Sequence, residues 1–280
     1  MLGHYVFHAS AIGLGGVLAS PKRKVIPSLA SVALAPSGGE GSALITNYAE
    51  DGVAFDRAET RVWGSGHSGN IFATRADVVL NNLDVFRQLQ VESMWASVTS
   101  IREVLPNGDV IDRKFTFQAE FLGVRVNGKE IDVPLDTKPF DENASYEDFV
   151  KALGSAKMSD YRKLIGLDDA QALSLSKGSG SASAISPRTI CCTAVSPKNA
   201  NGFHVPVKGL GTAHLAEALI KPGHRRLTLL RLDLTEAGPR SGEFESSGTK
   251  DSVMLSRALS GAAGTMTIGS VEGNGTQTIP

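Results

Sequence analysis

Hydrophobic and polar positions alternate with a period of two over much of this chain, most plainly near its middle. Phe115, Phe117, Ala119 and Phe121 are interleaved with Lys114, Thr116, Gln118 and Glu120, as in a strand with one face on a core and the other in water. The three phenylalanines are expected to form a core wall. The period recurs where Phe72, Ala76, Val78 and Leu80 alternate with Ala73, Arg75, Asp77 and Val79. In the next run Met94, Ala96 and Val98 oppose Val91, Trp95 and Ile101, so both faces carry sizeable apolar groups. That predicts burial on both sides for part of this strand. Pro106-Asn107-Gly108 and Asn127-Gly128 separate such runs. Asn-Gly between apolar strands is a strong hairpin signal, because a type I′ turn needs positive φ at both central residues. Residues 91–133 therefore predict an antiparallel meander around which the rest is organised.

The flanking segments extend this pattern. Residues 5–20, with Gly13, Gly15 and Gly16, predict a strand, a close backbone approach and a second strand. Residues 25–35 carry Pro27, which belongs at a sheet edge or at a strand's first position. Strands are expected at 43–48 and 53–62 around an Asp51-Gly52 turn, and 81–86 reads as a short bulged or crossing segment. Between 140 and 167 the period becomes helical. Asn143 or Ser145 caps a helix bearing Tyr146, Phe149, Val150 and Leu153 and stopping at Gly154, and a second short turn carries Met158, Tyr161, Leu164 and Ile165. Residues 176–186 are rich in serine and glycine, a possible flexible loop or boundary within an otherwise single β-rich domain over 1–280. Further strands are expected at 188–195, 203–207, 226–234, 252–259 and 265–271, with 212–221 a strand or a short helix. The expected fold class is mainly β: an antiparallel sheet, sandwich or barrel with one or two short helices inserted.

Composition narrows the function classes. The 280 residues include 30 glycines, implying many turns, and only 6% aromatics, which disfavours a stacking platform for single-stranded nucleic acid or an aromatic sugar-binding groove. A net charge of −1 provides no basic footprint, so nucleic acid is not an expected partner. No run reaches the ~18 apolar residues of a transmembrane helix. The opening residues 2–20 lack a basic flank and are broken by His4, His8 and several glycines, so they are not read as a signal peptide. The two cysteines, Cys191 and Cys192, are adjacent, and a bridge between neighbours is strained. Reduced thiols with no export signal point to the cytoplasm.

Candidate chemistry is sparse. Gly64-Ser65-Gly66-His67-Ser68-Gly69-Asn70 combines serines with a histidine, but neither serine has glycine at both second neighbours as a nucleophile elbow requires, and no lysine is placed as in a P-loop. The segment reads as a hairpin tip. His67, Ser68, Cys192 and His204 are the catalytic candidates, with Cys192 and His204 a conceivable nucleophile and base. His224, Arg225, Arg226 and Arg231 form the densest positive cluster, able to hold an anion but close to Asp233 and Glu236. His4 and His8 share a face and are the candidates for a metal, though no carboxylate nearby completes a site, and no cofactor is expected.

The opening His4-Tyr5-Val6-Phe7-His8-Ala9-Ser10-Ala11 and the closing His204-Val205-Pro206 with Leu227-Thr228-Leu229-Leu230-Arg231-Leu232-Asp233-Leu234 resemble uncharacterised bacterial β-rich proteins of unknown function. The resemblance is confined to those phrases. It implies a bacterial origin and that both ends belong to one fold, and it brings no activity, cofactor or catalytic residue. Three readings of function follow from the residues. The first is a non-catalytic structural protein that self-associates into a homo-oligomer or extended assembly, favoured by many strands and a charge near zero. The others are a binding module for a small molecule or glycan, lined by Trp95, Phe115 or Phe117, and a hydrolase using a histidine with serine or cysteine.

Overall fold

The computed structural model describes residues 4–18, 24–50, 52–67, 69–143, 145–164, 190–196, 204–235 and 262–278. The first half of the chain runs through β1 (His4–Leu18), β2 (Lys24–Ala33), β3 (Gly39–Glu50), β4 (Val53–His67), β5 (Ile71–Val85), β6 (Leu89–Val104), β7 (Val110–Val126) and β8 (Lys129–Glu130). Three short helices follow, α1 (Lys138–Asp141), α2 (Tyr146–Leu153) and α3 (Ser159–Leu164). The chain then returns to strands in β9 (Ile190–Thr193), β10 (His204–Val207), β11 (Gly211–Lys221), β12 (His224–Thr235) and β13 (Ala262–Thr278). No helix among the described residues is long and apolar enough to cross a membrane.

The strands form two antiparallel sheets and no closed barrel. The first has the order β10-β11-β12-β13-β1-β2, with β9 also pairing β11; the second is the meander β3-β4-β5-β6-β7-β8. They pack face to face as a sandwich, β1 and β13 lying over β4, β5 and β6. The first and last described strands pair along their length, from His4 with Thr278 to Val17 with Thr265. The Asn127-Gly128 turn joins β7 to β8 as expected, and Pro27 sits on an edge strand.

Residues 4–18 form one strand rather than two. The glycines there serve packing: a Cβ on Gly13 would lie 3.1 Å from the Cβ atoms of Ala30 and Ala58. Residues 81–85 are likewise not a separate crossing segment but the end of β5. What disturbs the pattern there is a change of phase. Buried positions in β5 run Ala76, Val78, Leu80 and then Leu83, Val85; in β6 they run Leu89, Val91 and then Met94, Ala96, Val98. β4 changes between Phe55 and Ala58, and β7 between Phe117 and Val124.

All these reversals fall on one line across the sheet: Asn47, Asp56, Asn82, Glu92 and Gly123. Alternate strands place the residue on that line at positive φ, +55° for Asn47, +53° for Asn82 and +63° for Gly123. One left-handed residue makes two consecutive side chains point the same way. Pairing on either side nevertheless keeps its register, as in Asn81 with Ser93 and Leu83 with Val91. Asn and Gly are the residues that adopt this conformation at least cost. The first sheet repeats the device with Ala30 at +46°, Gly269 at +63° and Ala216 at +51°.

The helical insertion covers one edge of the second sheet. Ser145 caps α2 by accepting a hydrogen bond from the Asp148 N–H at 3.0 Å. α1, which the sequence pattern did not reveal, sets Asp141 to accept a hydrogen bond from the backbone N–H of Phe117 at 2.7 Å. Phe140 stands edge-on to Phe117 at 5.4 Å and stacks with Phe149. Of the three phenylalanines of the expected core wall, Phe115 and Phe117 are fully buried and Phe121 is partly buried against the core.

Candidate functional site

Alternation along β12 divides the positive cluster. Arg225 points inward and is 1% exposed, whereas Arg226 points outward. The Arg225 guanidinium donates to the carbonyls of Phe140 at 3.1 Å, Asn143 at 2.6 Å and Ser145 at 3.0 Å, and lies 4.6 Å from the Phe115 ring. Arg102 approaches the same ring at 5.8 Å, pairs with Asp112 at 2.8 Å and donates to the Gly223 carbonyl. Burial pushes the Asp112 carboxyl up although Arg102 and Arg225 pull it down, and burial lowers Arg225 to about 10. Arg225 thus stays charged at neutral pH. This group ties β12, β7 and the helical insertion together, and its donors already serve protein acceptors.

The outer face of the first sheet carries a second arrangement. His204 and His214, opposite each other on β10 and β11, bring their Nδ1 atoms to 2.7 Å. One nitrogen must donate and the other accept, so the pair in this geometry holds at least one lone pair. The Asp233 carboxylate lies 2.9 Å from His214 Nε2, placing the His214 proton there and leaving its Nδ1 to accept from His204. Arg231 donates to both Glu217 oxygens, at 2.6 and 2.9 Å, and pairs with Asp233. Burial lowers the pKa of both histidines, more than Glu217 and Asp233 restore. The line Asp233, His214, His204 can orient and pass a proton.

A third group lies further along this face. Glu272 is 3.8 Å from His8 Nδ1 and 3.6 Å from His224 Nε2. His8 is thus set beside His224, which sequence separation concealed, and the backbone of His4 pairs with Thr278 at the far end of β13. Among the described residues no group of three or more His, Cys, Asp and Glu has an arrangement suited to a metal ion.

Among the described residues, the catalytic candidates are not brought together. His67 is exposed beside Trp63, while Ser68 lies outside the described residues. Cys192 is buried, its Sγ 3.5 Å from the Ala218 carbonyl, whereas His204 is on the exposed side of the sheet. The reversal at Ala216 separates them: Leu215 and Ala218 both point inward although three residues apart. Sequence reasoning missed His214, Glu217 and Glu272. The β11–β12 hairpin register, which sets His214 opposite Arg231, was the available signal for the first two. The loop at 176–186 and the strand expected at 252–259 lie outside the described residues.

Comparison with known families bears on this directly. Residues 5–205 match the model of a family described as Domain of unknown function (DUF8256). The chain belongs to that family. No curated protein and no solved structure matches it. The matched DUF8256 region takes in the whole second sheet and the helices but ends within β10, so Asp112 and Arg102 lie inside it while His214, Arg225, Arg231 and Glu272 lie beyond it.

Proposed function

We propose that this protein is a non-catalytic structural protein that self-associates through β3, an edge strand of the second sheet. The observation that carries the reading is how differently the sheet edges are protected. β2 and β10 contain prolines, β9 and β8 have four and two residues, and β7 is covered by α1 through the Asp141 contact to Phe117. β3 has 12 residues, pairs only with β4 among the described residues, and carries no charge or proline from Gly41 to Ala49. Leu44 is 56% exposed on it. Natural edges are normally blunted by lysine, proline or a covering element, because unpaired N–H and C=O groups template another strand. The regular stretch ahead of the Asn47 reversal is long enough to pair antiparallel with the same stretch of a second copy, giving a two-fold dimer with a continuous sheet. A cytoplasmic setting, in keeping with the free Cys192 thiol, and the bacterial origin implied by the opening and closing phrases belong to this proposal.

The test is light scattering and sedimentation of the full chain over a wide concentration range, beside Ser42→Lys and Leu44→Lys variants. Both substitutions are on the outward face and leave the core untouched. A concentration-dependent oligomer that either lysine shifts to monomer is the expected result. A strict monomer from micromolar to millimolar protein, or an oligomer indifferent to both lysines, would sink the proposal.

A further inference from the structure

The chain contains two tryptophans, and both lie on the outer face of the second sheet rather than in the core: Trp63 on β4, 39% exposed, and Trp95 on β6. Register places them at opposite corners of a polar quartet. Trp63 faces Arg75, Arg61 faces Asp77, Glu59 faces Val79, and Val79 faces Trp95. Two strand spacings and four residues separate the indoles, roughly 16 Å. The surface between them is concave. A groove of about 880 Å³ runs past Glu40, Ser42, Trp63 and the quartet, and an adjoining recess of about 330 Å³ shares Glu59, Arg61, Arg75 and Asp77 and reaches Trp95.

We infer that this groove binds a neutral carbohydrate chain. Most of its charges are already paired. Arg61 Nε donates to Glu59 at 2.7 Å, Arg75 Nε donates to both Asp77 oxygens at 2.8 and 3.0 Å, Arg57 also reaches Glu59, and Trp95 Nε1 donates to Glu120 at 2.9 Å. Arg57, Arg61 and Arg75 are met by Glu59, Asp77, Glu120 and Glu40, which provides no field for a polyanion. A protein partner would have to strip water from these charged groups, and the centres of protein interfaces are depleted of charge. A sugar chain makes the complementary demand. Its hydroxyls each donate and accept, matching guanidinium and carboxylate groups held in place by one another, and the C–H faces of its rings lie flat on indole while the rim stays wet. The open groove and the spacing of the indoles suit a chain of several units rather than one ring.

Because both tryptophans face the groove, emission excited at the red edge, where indole absorbs and tyrosine does not, reports on it alone. The full chain is titrated with cellohexaose, maltohexaose, xylohexaose and the hexamer of N-acetylglucosamine, with heparin oligosaccharide and single-stranded DNA as charged probes. Protein is held at several concentrations so that contact between copies registers as concentration dependence. A saturable change with at least one neutral hexasaccharide is expected, weakened about tenfold or more in Trp63→Ala and Trp95→Ala, with the remaining tryptophan reporting in each. Far-UV circular dichroism verifies folding, and Arg75→Ala provides a further variant that keeps both reporters. No response to any neutral hexasaccharide at roughly millimolar sugar, a response to the polyanions alone, or a change driven by protein concentration alone overturns the inference.

Discussion

Replacing Arg225 with methionine removes a buried guanidinium while keeping an unbranched apolar stem, and the consequence can be worked from its contacts. Three carbonyl oxygens, of Phe140, Asn143 and Ser145, lose their donor at once. Leaving a buried acceptor unsatisfied costs about 1–3 kcal/mol, with the upper part of that range reserved for Phe140, whose bond is fully buried. Asp112 and Asp141 also lose a positive neighbour that lowers their pKa. Against these losses stands the relief of no longer burying a charge. The net expectation is about 3–5 kcal/mol of destabilisation, the usual result of removing one partner from a buried charged network. With an unfolding entropy of about 2.1 cal/mol/K per residue, that lowers the melting temperature of the 280-residue chain by roughly 5–9 °C. The effect should also be local: amide hydrogen exchange should quicken across α1 and α2 more than in β4 to β6. Arg225→Lys should recover only part of the loss, since a compact ammonium cannot match a planar fork reaching three carbonyls. An Arg225→Met variant with unchanged melting and unchanged exchange in 138–153 would refute the claim that this arginine clamps the insertion.

Phe117→Ala removes a fully buried ring that stands edge-on to Phe140; the expected loss is about 3–5 kcal/mol, read as a lower urea midpoint, and an unchanged midpoint would contradict its place in the core. His204, His214 and His224 have lowered pKa values, burial being the largest cause in each. Over the window from the unfolded value of about 6.5 down through the folded values, the unfolded chain therefore holds more protons. Stability contributed by these groups is present above that window and lost as pH falls through it. Denaturation midpoints measured between neutral and mildly acidic pH should fall, and His204→Gln with His214→Gln should flatten the dependence; a midpoint that rises on acidification in this range would contradict the assignment.

Much of the second sheet was legible from residues alone. The Phe115 to Phe121 alternation, the turns at Asn107-Gly108 and Asn127-Gly128 and the Ser145 cap are local signals, each complete within a few residues. Pro27 marked an edge for the same reason, since a proline's missing N–H is a property of one position. The polar doublets Asp56-Arg57, Asn81-Asn82 and Glu92-Ser93 were visible too, but their meaning was not. Each taken alone resembles a turn or a bulge, and only their alignment across paired strands shows a single line along which the sheet reverses its faces.

What the residues determined by themselves was the mainly β class, the hairpin turns and the helical interruption, because these depend on periodicity and on backbone preferences at short range. The tertiary structure alone decided which face of each strand was covered and which distant residues met. Arg225 and Arg226 are chemically similar neighbours, yet one is clamped among carbonyls and the other is in water, since the fold lays the insertion over only one side of β12. The composition, with aromatics so scarce, pointed away from a sugar groove. Strand pairing nevertheless brings the two tryptophans onto one face with three arginines and four carboxylates, an adjacency created by register between strands that linear spacing does not encode.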